Sequence, residues 1–195
     1  MSNLIEKFRE AHKGVPLNKL VDAYFDLLTK IEECRRKKDF RKMLMHCQMS
    51  LSLLEPLIEQ TKKEFGTFDI SGISAIEVGS IFWAIYGAEG QLLNIKEVVE
   101  YFPELEPWKE TIKKAFTIKE LAQKIYQYVT DNKGCLQKEL KKALGVEDGK
   151  LTSNVVYYME LVGKLERKKV KNTYSLFAER STITNEYDTT SSNSG

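Results

Sequence analysis

Over the first hundred residues apolar side chains recur three and four positions apart, the spacing that lines one face of a helix. Leu17, Leu20, Val21, Tyr24, Leu27, Leu28 and Ile31 form the first stripe, which runs into the basic stretch 35–38. Asp39 is placed to cap the next helix, striped by Phe40, Met43, Leu44, Cys47, Leu51 and Leu54. Pro56 lacks an N–H and crowds the preceding turn, so it is expected to end or kink that helix. GTFDISG at 66–72, with a glycine at each end, reads as a loop. Ile76, Ile81, Phe82, Ile85 and Tyr86 predict a buried helix, and GAEG at 87–90 a turn. Leu92, Leu93, Ile95, Val98, Val99 and Phe102 predict a further helix that stops at Pro103. Residues 17–103 therefore read as two antiparallel helical hairpins, with turns near Lys38 and Ala88.

The pattern changes after Pro107 and Trp108. Thr117 with Glu120 three positions on has the form of a capping box. Phe116 and Leu121 flank it as a hydrophobic staple, so a new helix is expected to start there. That helix puts Leu121, Ile125, Tyr128 and Val129 on one face and stops at Gly134. Cys135 and Leu136 suit a short strand or a linker. A compact helix follows, QKELKKALG, with Leu140 and Leu144 inward and Gly145 past its end. GVEDGK leads to a third helix, LTSNVVYYMELV, with Val155, Val156, Met159 and Val162 in core register. GKLERKKVKNTYSLF at 163–177 then reads as a hairpin turning at Lys171 and Asn172. Alternation puts Leu165, Arg167 and Lys169 on one face with Tyr174 and Leu176. The expected division is a helical domain at 1–116, a second domain at 117–178 and a disordered tail at 179–195, rich in Ser, Thr and Asn.

Net charge is only +2, but its distribution is uneven. Residues 117–178 hold 12 Lys and Arg against 7 Asp and Glu, a balance of +5, while 1–116 are close to neutral. A polyanion would be drawn to the later part of the chain. No apolar run is long enough to span a bilayer, and the acidic Glu6 and Glu10 argue against a signal peptide, so a cytoplasmic protein without membrane contact is expected.

Little in the chain points to bond-making chemistry. Cys34, Cys47 and Cys135 are too scattered for a disulfide framework or a zinc site, and read as buried or half-buried thiols. The two histidines, His12 and His46, belong to no nucleophile or metal motif and are expected to be satisfied or solvent-facing. GAEG lacks the Lys-Ser/Thr of a phosphate loop. No enzyme, cofactor or metal site is expected.

KKDFRKMLMHCQMSLSLLEP, with Asp39 and Phe40 at the turn, Ser50 small and Pro56 closing, resembles part of a tetratricopeptide-type repeat. More specifically, three helices and a basic hairpin in the order found at 117–178 resemble the winged helix-turn-helix family. The likeness is carried by Leu144-Gly145, the core register of Val156 and Met159, Gly163, and the Leu165-x-Arg167 that opens the hairpin. Lys164 stands where that family often has an apolar residue. The resemblance implies a mainly α protein, with N-terminal helical hairpins followed by a C-terminal winged helix of three helices and a two-stranded hairpin.

It also implies a DNA-binding transcription regulator that grips double-stranded DNA as a homodimer, its third helix in the major groove and its wing along the backbone. The matching positions are Lys150, Ser153, Asn154, Tyr157 and Tyr158 on the third helix, and Arg167, Lys168, Lys169 and Lys171 on the hairpin. Asn154 suits adenine, Ser153 a base or phosphate, and Lys150 phosphate; one of the two tyrosines is expected to pack in the core. The helical domain would dimerise or take a protein partner or small-molecule effector. The competing expectation is a scaffold or adaptor that uses the same helix and hairpin for protein contacts.

Overall fold

The computed structural model describes residues 3–68 and 72–179. It is mainly α-helical, with one small antiparallel sheet. The chain divides into two compact units, Met1–Phe82 with Gln91–Lys113, and Trp83–Gly90 with Lys114–Gly195.

In the first unit α2 (Leu17–Lys37) and α3 (Phe40–Phe65) pack along each other. Leu20, Tyr24, Leu27 and Ile31 are buried on α2, and Met43, Leu44, Cys47, Leu51 and Leu54 on α3. The turn between them lies at Lys38, in the left-handed region with φ 59°, and the Asp39 carboxylate accepts from the Lys42 N–H at 3.2 Å. The short α1 (Asn3–Ala11) packs on α3. There Arg9 Nε donates to Glu55 Oε1 at 2.7 Å, which gives a buried carboxylate its counter-charge. Cys34 and Cys47 are buried and Cys135 is half-buried, and all three are free thiols. Burial pushes the Cys47 thiol up to about 12.

Some sequence expectations change here. Of the two outcomes expected at Pro56, an end to the helix does not occur: α3 continues to Phe65. Leu53, Leu54, Pro56, Leu57 and Ile58 are all buried around it, and that burial offsets the roughly 3 kcal/mol a proline costs inside a helix. α4 (Ser74–Tyr86) and α5 (Glu89–Tyr101) are joined by the expected turn at Gly87. His46 does not face solvent but is buried, and its Nδ1 has no hydrogen-bond partner among the described residues, so it is not the satisfied or solvent-facing histidine expected. Burial first, then Lys30 and Lys42, holds its pKa below the usual imidazole value. Of the expected loop at 66–72, residues 69–71 lie outside the described residues.

A further change is at Thr117. After a 3-10 turn, Pro103–Trp108, α6 runs without a break from Lys109 to Asp131, so the capping box and staple do not form. Ile112, Ala115, Ile118, Leu121, Ala122, Ile125 and Val129 are buried at uninterrupted helical spacing, and no Gly or Pro intervenes. A threonine inside a helix costs only about 0.5 kcal/mol relative to alanine, whereas a break would leave a new set of N–H groups to satisfy.

In the second unit α6 is followed by β1 (Cys135–Leu136), α7 (Gln137–Ala143), α8 (Gly149–Leu161), β2 (Leu165–Val170) and β3 (Thr173–Ala178). The sheet order is β1-β3-β2, all antiparallel, so the two residues read as strand or linker become the third strand. The hairpin register pairs Val170 with Thr173, Lys169 with Tyr174, Arg167 with Leu176 and Leu165 with Ala178. That is the two-residue turn and the shared face the alternation predicts. Lys171 occupies the left-handed region, φ 50°, that such a turn requires. Gly145, φ 64°, ends α7 in the manner expected of a C′ residue. Of the expected tail at 179–195, only Glu179 is among the described residues.

Candidate functional site

The second unit presents one face of α8 to solvent. Asp148 caps this helix, its carboxylate accepting from the Leu151 N–H at 2.8 Å. Buried Thr152, Val155, Val156 and Met159 fix which way the helix is turned. Val162, just past its end, is buried as expected. The same register leaves Lys150, Ser153 and Asn154 exposed, with Tyr157 46% exposed and Tyr158 half-buried. The core tyrosine expected at 157 or 158 is therefore absent. Each ring instead packs beside the other, 5.8 Å between centroids, above a core already filled by aliphatic side chains.

The hairpin residues separate into two kinds. Lys169 and Lys171 are exposed at the tip and have no acidic partner among the described residues. Arg167 is held inward: its Nε donates to Glu160 Oε2 of α8 at 2.7 Å, and its Nη2 lies 2.6 Å from the same oxygen as an ion pair. Its guanidinium lies 4.5 Å from the centre of the Tyr174 ring and 5.7 Å from that of Tyr157. Paired with Glu160 and with its side chain 16% exposed, Arg167 clamps β2 to α8. Lys168 points to the opposite face, where it pairs with Glu166 at 3.1 Å and lies over Phe177.

Of the nine side chains singled out in the sequence, the structure puts Lys150, Ser153, Asn154 and Tyr157 on one exposed helix face, with Tyr158 half-buried beside them. It leaves Lys169 and Lys171 free at the hairpin tip, and engages Arg167 and Lys168 within the fold.

Three further lysines belong beside this face. Lys138, Lys141 and Lys142 of α7 line a shallow groove with Gly145, Val146 and Glu147. The stem of Lys141 rests against Gly149 at the start of α8, 3.4 Å from where a Cβ would stand. The run KELKK was visible in the sequence, but only its apolar register was read. What makes it part of the surface is the packing of α7 on α8. Glu147 and Asp148 lie at the same end and lower the local positive field.

No group of three or more His, Cys, Asp or Glu among the described residues is arranged to hold a metal ion, and no described helix is long and apolar enough to cross a membrane. No protein-family model, curated protein or solved structure matches the chain.

Proposed function

We propose that residues 117–178 act as a winged helix-turn-helix module that grips double-stranded DNA, and that the chain is a DNA-binding transcription regulator. In this reading α8 enters the major groove by its N-terminal half and the β2–β3 hairpin lies along the backbone. The observation that carries it is the exposed face of Lys150, Ser153 and Asn154, together with the lysines of α7 and the exposed Lys169 and Lys171 at the hairpin tip. The element order α6-β1-α7-α8-β2-β3 with sheet order β1-β3-β2 supports the same reading. Asn154 and Ser153 are the base-edge readers, while Lys150, Lys169 and Lys171 hold phosphates. A homodimer would present two such faces to paired half-sites, leaving the helical unit for a protein partner or an effector.

The test is a titration of the full chain with duplex DNA at several salt concentrations. Binding should weaken steeply with salt, and replacing Lys150, Lys169 and Lys171 together by alanine should reduce the log–log slope by about 2.7, roughly 0.9 per lost phosphate contact. Absence of duplex binding even at low salt refutes the reading. A second reading, a non-enzymatic adaptor, is favoured by one observation: the outward Tyr157, an aromatic of the kind that anchors protein interfaces. An adaptor would keep its assembly in the triple-alanine variant and lose it on Tyr157→Ala.

A further inference from the structure

Lys164 sits between Gly163, φ 75°, and the buried Leu165, at the base of the hairpin. Its side chain turns inward, and Nζ donates to the Tyr86 carbonyl oxygen at 3.1 Å. An ammonium has three protons to donate, and no carboxylate pairs with this one among the described residues. Burial alone pulls its pKa below the usual lysine value, with no neighbouring charge opposing the shift. A half-buried cation held by a single neutral acceptor is costly unless something else compensates it.

Beside it lies a cavity of about 230 Å³, within the second unit. Ala84, Ile85 and Ala122 supply apolar wall, Gln123 and Gln127 supply carboxamides, and Lys164 supplies the charge. This is at the small end of ligand pockets, with room for roughly ten non-hydrogen atoms. The single positive charge matches a monoanion. A phosphate dianion would bring more charge than the wall neutralises, and a neutral molecule would leave the ammonium as it is.

We infer that this cavity binds a small organic monocarboxylate, its carboxylate on Lys164 Nζ and its apolar body against Ala84, Ile85 and Ala122. The site also touches the hairpin. The Lys164 carbonyl accepts from the Glu179 N–H at 3.0 Å, and Tyr126 Oη of α6 donates to the Glu179 carbonyl at 3.0 Å. An occupant on Lys164 therefore bears on the residues from which β2 starts and after which β3 ends. The inference goes beyond the DNA-binding reading and does not depend on it, because its test contains no nucleic acid.

Benzoate is the probe, with benzamide as its uncharged counterpart, each titrated into the full chain by calorimetry and by amide NMR. Benzoate should bind with a millimolar or tighter Kd and shift the amide signals of Ala84, Gly87, Gln123 and Gln127 before others. Benzamide should bind at least about tenfold more weakly, and Lys164→Met should weaken benzoate by a similar factor, as expected when a charge-assisted hydrogen bond is lost. Circular dichroism and melting of the Met variant establish that it folds; if it does not, the benzoate–benzamide pair on the unaltered chain decides. No perturbation of those amides at about 10 mM benzoate, equal binding of benzamide, or undiminished binding by a folded Lys164→Met chain overturns the inference.

Discussion

Arg167 offers the sharpest quantitative test, because its sequence context suggests a phosphate contact and its surroundings in the fold suggest a clamp. Truncating it to alanine removes the charge-assisted donation from Nε to Glu160 Oε2 at 2.7 Å, the ion pair that this bond belongs to, and the stacking on Tyr174 at 4.5 Å. Hydrogen bonds to charged groups contribute about 1.5–3 kcal/mol, and a partly exposed cation–π contact about 0.5–1 kcal/mol. Glu160 is 33% exposed and regains water when its partner leaves, which moves the ion-pair part to the lower end of its range. The expected loss is about 2 kcal/mol for Arg167→Ala, with a coupling to Glu160→Ala of about 1 kcal/mol or more in a double-mutant cycle. Since the chain has two compact units, a single global unfolding free energy is the wrong quantity. The assay is native-state hydrogen exchange at the paired amides of β2 and β3 in the four variants. A coupling below about 0.5 kcal/mol refutes the clamp. So does an Arg167→Ala chain of unchanged hairpin protection whose DNA-binding salt slope falls by about 0.9.

Further outcomes follow from other sites. Glu104 is held below the usual carboxylate pKa chiefly by the hydrogen bond from Lys62 Nζ, 2.7 Å away. A depressed folded-state pKa gives stability that is present above the unfolded value and lost as pH falls through the folded one. Thermal melts from about pH 6 down to about pH 3 should therefore show a smaller acid loss in Glu104→Gln than in the unaltered chain, and equal losses would remove the pair from the acid response. Lys38 is held in a left-handed conformation at φ 59° that glycine adopts freely, so Lys38→Gly should stabilise the α2–α3 turn by up to about 1 kcal/mol in native-state hydrogen exchange at the α2 and α3 amides; destabilisation would contradict that geometry. Cys47, with its thiol pushed up to about 12, should resist iodoacetamide in the native chain and react on denaturation, read by mass spectrometry; native labelling at Cys47 would show that α3 opens readily.

Much of the second unit was legible from local pattern. The inward register of α8, the Gly145 stop after α7 and the two-residue turn at Lys171 and Asn172 all depend on side chains within a few positions of one another. Periodicity and turn chemistry are local properties, so they survive being read without coordinates. The α2–α3 hairpin was legible for the same reason, through its stripes and the Asp39 cap. Two local signals were real but outweighed. Pro56 and the Thr117 capping box each argue for a helix end, yet each lies inside an apolar stripe whose burial contributes more than the local preference.

Pairing across distance could not be read in this way. Nothing near Arg167 in the sequence says that Glu160 will take up its guanidinium. Five basic residues in GKLERKKVKNTYSLF look equivalent as letters, and packing makes them different: Lys169 and Lys171 stay in water, Arg167 and Lys168 find carboxylates, and Lys164 is drawn inward to the Tyr86 carbonyl. The chain's pattern was enough to specify helices, turns and which face of each is apolar, because those preferences act over one or two turns. Which charges remain free was decided only when β2 was laid against α8, because a charge's partner is set by distance in space and burial sets the cost of lacking one.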